Sequence, residues 1–392
     1  MVWPSGDDYG ALRKFGTALE ADGMQDSTAV GDFSDGAESA DGSVAWIRQV
    51  RHAIRTADTD FFRVSPARYW ADFLLSLFAA YSAAAAYLTL PFGSWPQLLA
   101  FPMAAFWLYR LGSLIHEVCH LGQHEMTVFK GAWNLLAGVM TLTPSPFFTR
   151  HHRDHHSQRF YGTPEDPEYV ANCLESGNAA SLLGYTVYVL VFPLLVFLRF
   201  LLVPLTFVDP RVREWTLKRA SSLTFNRLYE RKLTPADRRA ILAAEIPCFL
   251  RAAMIPLLVV FGFNHWTRIP MLYLLAVATV LLNQLRQLAD HHFEGDGSRV
   301  DLADHIMDSC NFTRNDPLTL LFFPFSIRYH ALHHLFPSLP YHNLKKAHAH
   351  LVDTLPADSP YLQLDRPGWW SVARTTLFGP TAIPHAAYKP GA

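Results

Sequence analysis

Four short stretches concentrate imidazoles: HEVCH at His116–His120, HHRDHH at His151–His156, ADHH ending at His291 and His292, and HALHH at His330–His334. Histidines at i and i+4, or at i, i+3 and i+4, project from one face of a helix, so each stretch can aim two or three ring nitrogens at one point. Neutral imidazole is the commonest metal ligand, and its unperturbed pKa of about 6.5 leaves it mostly unprotonated near neutrality. Nine suitably spaced residues are candidate ligands: His116, His120, His152, His155, His156, His291, His330, His333 and His334. One ion with about four to six positions cannot use them all, so the count points to two ions.

Within HHRDHH the helical angles separate the four rings. At about 100° per residue, His152, His155 and His156 span about 100° of arc, whereas exchanging His152 for His151 widens the trio to about 140°. The tighter trio repeats the spacing of His330, His333 and His334, which leaves His151 beside the site as a bystander. His124 lies about 12 Å along a helix from His116, too far to share an ion with it. His292, His342, His348 and His350 lack the spacing and are expected at the surface or behind the ligands. Glu117, Asp154 and Asp290 neighbour ligands in sequence and can accept the second N–H that a metal-bound imidazole donates. GTPEDPEY, Gly162–Tyr169, is expected to be a plain turn. HEVCH also fits a zinc metalloprotease with Glu117 as general base, a reading that leaves the other stretches without a role.

Bringing four distant stretches together needs a scaffold, and the composition selects a membrane one. Half the residues are apolar and 17% are charged. Segments near 69–90, 95–115, 242–263 and 268–290 each reach the roughly 20 helical residues that a hydrocarbon core requires. Residues 179–207 are longer but carry Pro193, Arg199 and Pro204, which suits a broken or re-entrant element. Trp133 to Leu142 is too short to cross and belongs at the interface. Arg48, Arg51, Arg55, Arg63 and Arg68 precede the first span, and the loop 208–240 holds nine Lys/Arg, so both are expected to be cytoplasmic. Two helical hairpins then put residues 116–178 and 291–392, with every histidine stretch, on that same side.

The remaining composition narrows the function. A net charge of −1 without a long Lys/Arg run excludes the basic field of a nucleic-acid binder. Cys119, Cys173, Cys248 and Cys310 form no CxxC pair, so neither a zinc ribbon nor a disulfide framework is expected. No cleavable signal peptide is evident in the first residues. Residues 1–46, acidic and poor in large apolar side chains, read as a disordered tail ahead of a membrane domain over 47–392.

Together, His116-x-x-x-His120, His152-x-x-His155-His156 and His330-x-x-His333-His334 resemble the three histidine boxes of the membrane fatty acid desaturase/hydroxylase superfamily. RYHALHHLFPSLPYHNL, from Arg328, resembles the third box and downstream region of acyl-lipid desaturases of the bacterial type, and NQLRQLADHH resembles the segment ending their last span. The resemblance covers roughly residues 66–356. It implies an all-α integral membrane fold: four transmembrane helices with re-entrant or interfacial helices, under a cytoplasmic cap holding a di-metal site. Two non-haem irons, held by the nine histidines, would use O2 to desaturate a fatty acyl chain presented as a lipid or thioester. Where the family often has Asn-x-x-x-His, Gln287 precedes His291, with Asn283 one turn earlier, and both are candidates for a role behind the ligands. Breaking an aliphatic C–H bond calls for a redox cofactor, which fits iron and excludes zinc. No haem motif, iron–sulfur cysteine pattern or dinucleotide loop is evident, so the electrons must come from a separate protein, by resemblance a ferredoxin or cytochrome b5. Hydroxylases and carotenoid ketolases share the boxes and are the alternatives within the superfamily.

Metal analysis of the purified protein is expected to give about two irons per chain and little zinc. One zinc, with activity that survives His330→Ala and is lost in Glu117→Gln, would instead establish the protease.

Overall fold

The computed structural model describes residues 44–379. The expected tail lies outside them except for its last three residues, and Ala45 and Trp46 already belong to helix α1, Ala45–Arg55. That helix is amphipathic: Trp46, Ile47, Val50 and Ile54 are buried, while Arg48 and Arg55 are exposed. Helices α2, Pro66–Thr89, and α3, Trp95–His120, form a hairpin. Its turn uses Gly93 at φ +75°, a conformation that side chains with a Cβ rarely adopt, and the Ser94 side chain caps α3 by accepting from Gln97 N–H.

Short helices α4, Thr127–Trp133, and α5, Thr149–His155, come next, with α4 continuing into a π-helical turn over Asn134–Val139. Then follow α6, Ala179–Leu201; α7, Pro210–Arg219; α8, Pro235–Val260; and α9, Arg268–Gln287. The start of α8 is held by a reciprocal capping box between Thr234 and Asp237, with Pro235 in its first turn. Five short helices complete the chain: α10, Leu302–Met307; α11, Pro317–Phe322; α12, His330–Leu335; α13, Tyr341–Thr354; and α14, Trp369–Phe378. Strands β1, Asn311–Phe312, and β2, Asp365–Arg366, pair in parallel, with Asn311 opposite Asp365.

Helices α2, α3, α6, α8 and α9 are long and apolar enough to cross a membrane. They leave large apolar side chains such as Leu74, Leu75, Phe78, Leu99 and Leu250 exposed, a surface suited to lipid. The chain is a multi-pass membrane protein. His120, at the end of α3, and His291, just beyond α9, join one cluster of rings, so these two helices run the same way. Their starts, flanked by Phe92, Trp95, Phe263 and Trp266, lie at the opposite end, where exposed aromatic rings fit the membrane boundary.

Helix α6 departs from expectation in one respect. It is continuous through Pro193 instead of broken there. The proline removes one backbone donor, and the neighbouring Leu190 carbonyl accepts from the Tyr273 hydroxyl of α9 at 2.7 Å. Both ends of α6 nevertheless return to the histidine side. Gly177 N–H, just before it, bonds Leu377 O, and Arg199 near its end donates to Ala220 O in the loop whose Leu223 N–H bonds Phe147 O. Trp133 to Leu142 is also more than an interfacial strip: Trp133 is fully buried and donates to Leu111 O, while Met140 to Thr143 form part of a cavity wall.

Glu245 of α8, fully buried, ties α6 and α7 to the bundle by pairing with both Arg199 and Arg213, the latter through two bonds of 2.9 and 2.6 Å. Removing its charge leaves two guanidiniums uncompensated. Glu245→Gln is expected to destabilise the fold by about 3–5 kcal/mol, seen as a clear fall in thermal midpoint of the detergent-solubilised protein.

Candidate metal centre

Each histidine stretch is presented on its own short piece of helix. The last turn of α3 carries His116 and His120, α5 and the residue after it carry His152, His155 and His156, and α12 carries His330, His333 and His334. His291 follows α9 and is pinned by an isolated bridge to Ser309. The nine candidates fall into two groups, His116, His120, His152, His156 and His333 in one, and His155, His291, His330 and His334 in the other. One nitrogen from each ring lies within 4.8 Å of the others in its group. His151, next to His152, belongs to neither group, as its angular position predicts.

The spacing fits coordination. Nε2 atoms approach at 3.0 Å for His120 and His152, 3.1 Å for His152 and His156, and 3.2 Å for His156 and His333. In the second group the approaches are 3.2 Å for His155 and His291, 3.1 Å for His291 and His330, and 3.0 Å for His330 and His334. Adjacent ligands at right angles on an ion with bonds of about 2.1 Å sit about 3.0 Å apart. The buried His116 Nε2 has no hydrogen-bond partner.

The opposite nitrogens of several of these rings have partners that hold a proton away from the group, whereas those of His156 and His330 are buried without one. His152 Nδ1 meets Glu168 Oε1 at 2.7 Å, and His155 Nδ1 meets Asp166 Oδ1 at 2.8 Å. His291 Nδ1 lies 2.8 Å from the Tyr161 hydroxyl, which itself donates to Asp308 at 2.7 Å and so must accept from the ring. His334 Nδ1 meets His305 Nε2 at 2.8 Å, with His305 stacked on Tyr161 at 3.6 Å. His152, His155 and His291 therefore donate outward from Nδ1 and turn Nε2 inward, while the contact of His334 with His305 holds a proton on one of the two rings. Burial, then repulsion from neighbouring rings, holds His152, His156, His291, His333 and His334 well below the usual histidine range, so they stay neutral. Burial also pulls His155 down, but Asp166 outweighs it and brings the ring to about 8, so an ion binding there displaces the Nε2 proton. A positive ion is what satisfies two such sets of inward lone pairs.

The supporting residues differ from those suggested by sequence adjacency. Asp154 takes the Tyr229 hydroxyl and Arg150, and Asp290 pairs with Arg286 at 2.7 Å, so neither backs a ring. Glu117 does reach His116 Nδ1, at 3.3 Å, while also accepting from the Tyr69 hydroxyl and Tyr341 N–H. A carboxylate so engaged is not the free base that a zinc protease needs. GTPEDPEY is not a plain turn: it supplies both Asp166 and Glu168. Asp166, fully buried, also accepts from Gly162 N–H and Glu168 N–H, which locks the loop beneath its ring. His305, Tyr161 and Asp308 carried no spacing signal and emerge only from the fold. Asn283 and Gln287 line the cavity below the rings, and neither hydrogen-bonds an imidazole among the described residues. His124 is exposed, His292 accepts from Arg366, and His342, His348 and His350 bond Ser65, Tyr361 and Ala53, away from the centre.

Beneath the rings is a cavity of about 880 Å³, bounded at one end by His116, His151 and Glu168. It follows α9 from Gln287 to Ile269, eighteen residues or about 27 Å of helix, to the opposite end of the bundle. Apolar side chains such as Leu108, Phe192, Phe197 and Leu272 dominate its wall. That shape suits an extended lipid chain.

A sequence model described as fatty acid desaturase matches residues 92–365. The chain belongs to the fatty acid desaturase family. Among curated proteins, a ceramide hydroxylase of Caulobacter vibrioides (strain NA1000 / CB15N) is 35% identical over 322 residues, covering 79% of this chain and 88% of that one. As a family member the protein is a membrane-associated oxidoreductase of the desaturase/hydroxylase superfamily, a family that uses lipid substrates.

Asp166→Asn removes the charged acceptor behind His155. It is expected to weaken metal binding at the four-histidine group by about 10–100-fold, so that a chelator titration strips one ion early. Asp154→Asn, one residue from the same histidine but bonded elsewhere, is expected to leave the titration unchanged.

Proposed function

We propose that the nine histidines hold two irons and that the protein uses O2 to oxidise an aliphatic carbon of a lipid lying in the cavity. The observation that carries this reading is the opening of an all-histidine pair of groups onto a membrane-long apolar cavity through His116. Bound iron supplies the redox chemistry that side chains lack. The chain's own part is positional. Glu168 and Asp166 hold two rings in the tautomer that leaves Nε2 free, Tyr161 does the same for His291, and the cavity wall excludes water from the acyl chain. The five-histidine group would hold one ion and the four-histidine group the other.

The outcome we favour is hydroxylation of a ceramide-class lipid, on the strength of the ceramide hydroxylase relative. One C–H becomes C–OH while O2, two electrons and two protons also yield one water. Desaturation, favoured by the RYHALHHLFPSLPYHNL stretch, removes two adjacent hydrogens with the same inputs and yields two waters. The electrons come from a separate redox protein of ferredoxin or cytochrome b5 type. The histidine end faces the cytoplasm, because the arginines before α2 and the basic loop 208–240 adjoin it. The opposite turns, 90–94 and 261–267, carry no Lys or Arg.

A host that makes no sphingolipid, supplied with ceramide and isotopically labelled O2, tests the outcome. A hydroxyceramide carrying one labelled oxygen is expected, and none from His330→Ala. New double bonds with label only in water would replace hydroxylation by desaturation, and neither product would remove the proposal.

A further inference from the structure

Arginines inside the membrane helices are costly, and each needs a partner. Arg110 of α3 pairs with Asp72, Arg199 of α6 with Glu245, and Arg286 of α9 with Asp290. Arg68, Arg238, Arg239 and Arg268 sit in the first turns of their helices, near water. Arg251 of α8 is different. It lies six residues, about 9 Å of helix, beyond the Glu245 charge cluster and has no carboxylate partner among the described residues. Its side chain lines the cavity, and its buried Nε has no hydrogen-bond partner. Tyr81 and Tyr273 share the cavity wall, but their hydroxyls donate to the Leu136 and Leu190 carbonyls and offer no negative charge.

We infer that Arg251 is a specificity-determining residue that binds an anionic oxygen group, carboxylate or phosphate, carried by the lipid in the cavity. A guanidinium has a planar fork that matches either group, and in a low-dielectric cavity its charge is balanced by an anion as those of Arg110, Arg199 and Arg286 are. The rest of the lipid then lies along the apolar wall toward His116. Arg251 thereby becomes the point from which the oxidised carbon is counted. This rests on the proposed reading that the cavity holds the substrate, and it narrows that substrate from neutral ceramide, which has no anionic group, to a phosphorylated lipid of that class or a free fatty acid.

Binding is measured on the full-length, metal-loaded protein in an uncharged maltoside detergent, with octadecanoic acid, octadecyl phosphate and octadecanol as probes. At least one acidic probe is expected to bind about tenfold or more tightly than the alcohol. Preference for the acid identifies a free fatty carboxylate as the source, and preference for the phosphate a phosphorylated lipid. Arg251→Gln is expected to abolish the preference while leaving octadecanol affinity unchanged, and Arg251→Lys to keep part of it. Equal affinity of the wild type for all three probes, or a preference that survives in Arg251→Gln, overturns the inference. The wild-type comparison stands by itself should the Gln variant not fold. Because turnover is not read, failure here leaves the proposed oxidation to its own product test.

Discussion

Nine imidazoles crowded around two points form an arrangement that repels itself once protonated, and the part of this protein beyond the spanning helices is organised around maintaining it. A ring is held with its lone pair inward where the other nitrogen has a partner, as it has for five of the nine rings; the outer nitrogens of His156 and His330 are buried without one. For the five-histidine group those partners are Glu117 and Glu168, and for the four-histidine group they are the acceptors Asp166 and Tyr161, with Asp308 behind it, and the His305 ring beside His334. The partners come from α3, the loop after α5, and α10 with the residues after it. Two rings of α5, His152 and His155, and one of α12, His334, are held in this way, which steadies helices each under two turns long.

The membrane half follows a second rule, that charge is tolerated where it is paired. Asp72–Arg110 joins α2 to α3, Glu245 joins α8 to α6 and α7, and Asp290–Arg286 fastens the end of α9 just before His291. The last pair links the two halves, since it fixes the chain immediately before a predicted ligand. Between the helices the apolar cavity runs up to His116, and the outer faces of the bundle are apolar as well.

Much of the centre was legible because helical periodicity is local. Residues at i, i+3 and i+4 share a face whatever surrounds them, so all nine grouped histidines and the exclusion of His151 could be read from spacing. The partners of those rings could not. Asp154 and Asp290 stand beside ligands in sequence yet point to Tyr229 and Arg286, whereas Asp166 and Glu168 lie eleven and sixteen residues from their rings. Gly162, Pro164 and Pro167 mark a turn, and a turn signal says nothing of what the turn's acids face. Pro193 misled in a different way, since its lost hydrogen bond is local but the α9 tyrosine beside it is not.

The sequence by itself determined the spanning segments, the charge asymmetry of their connections and the imidazole triplets, because each depends on composition or on neighbours within one or two turns. Only the tertiary structure decided how nine rings divide into five and four, which groups take their outer protons, and where the cavity runs. Those depend on contacts between α3, α5, α9, α10 and α12 that no local pattern encodes. Arg251 belongs to the same class: as a letter in α8 it is one more arginine, and its lack of a carboxylate partner among the described residues is visible only once their carboxylates have been placed.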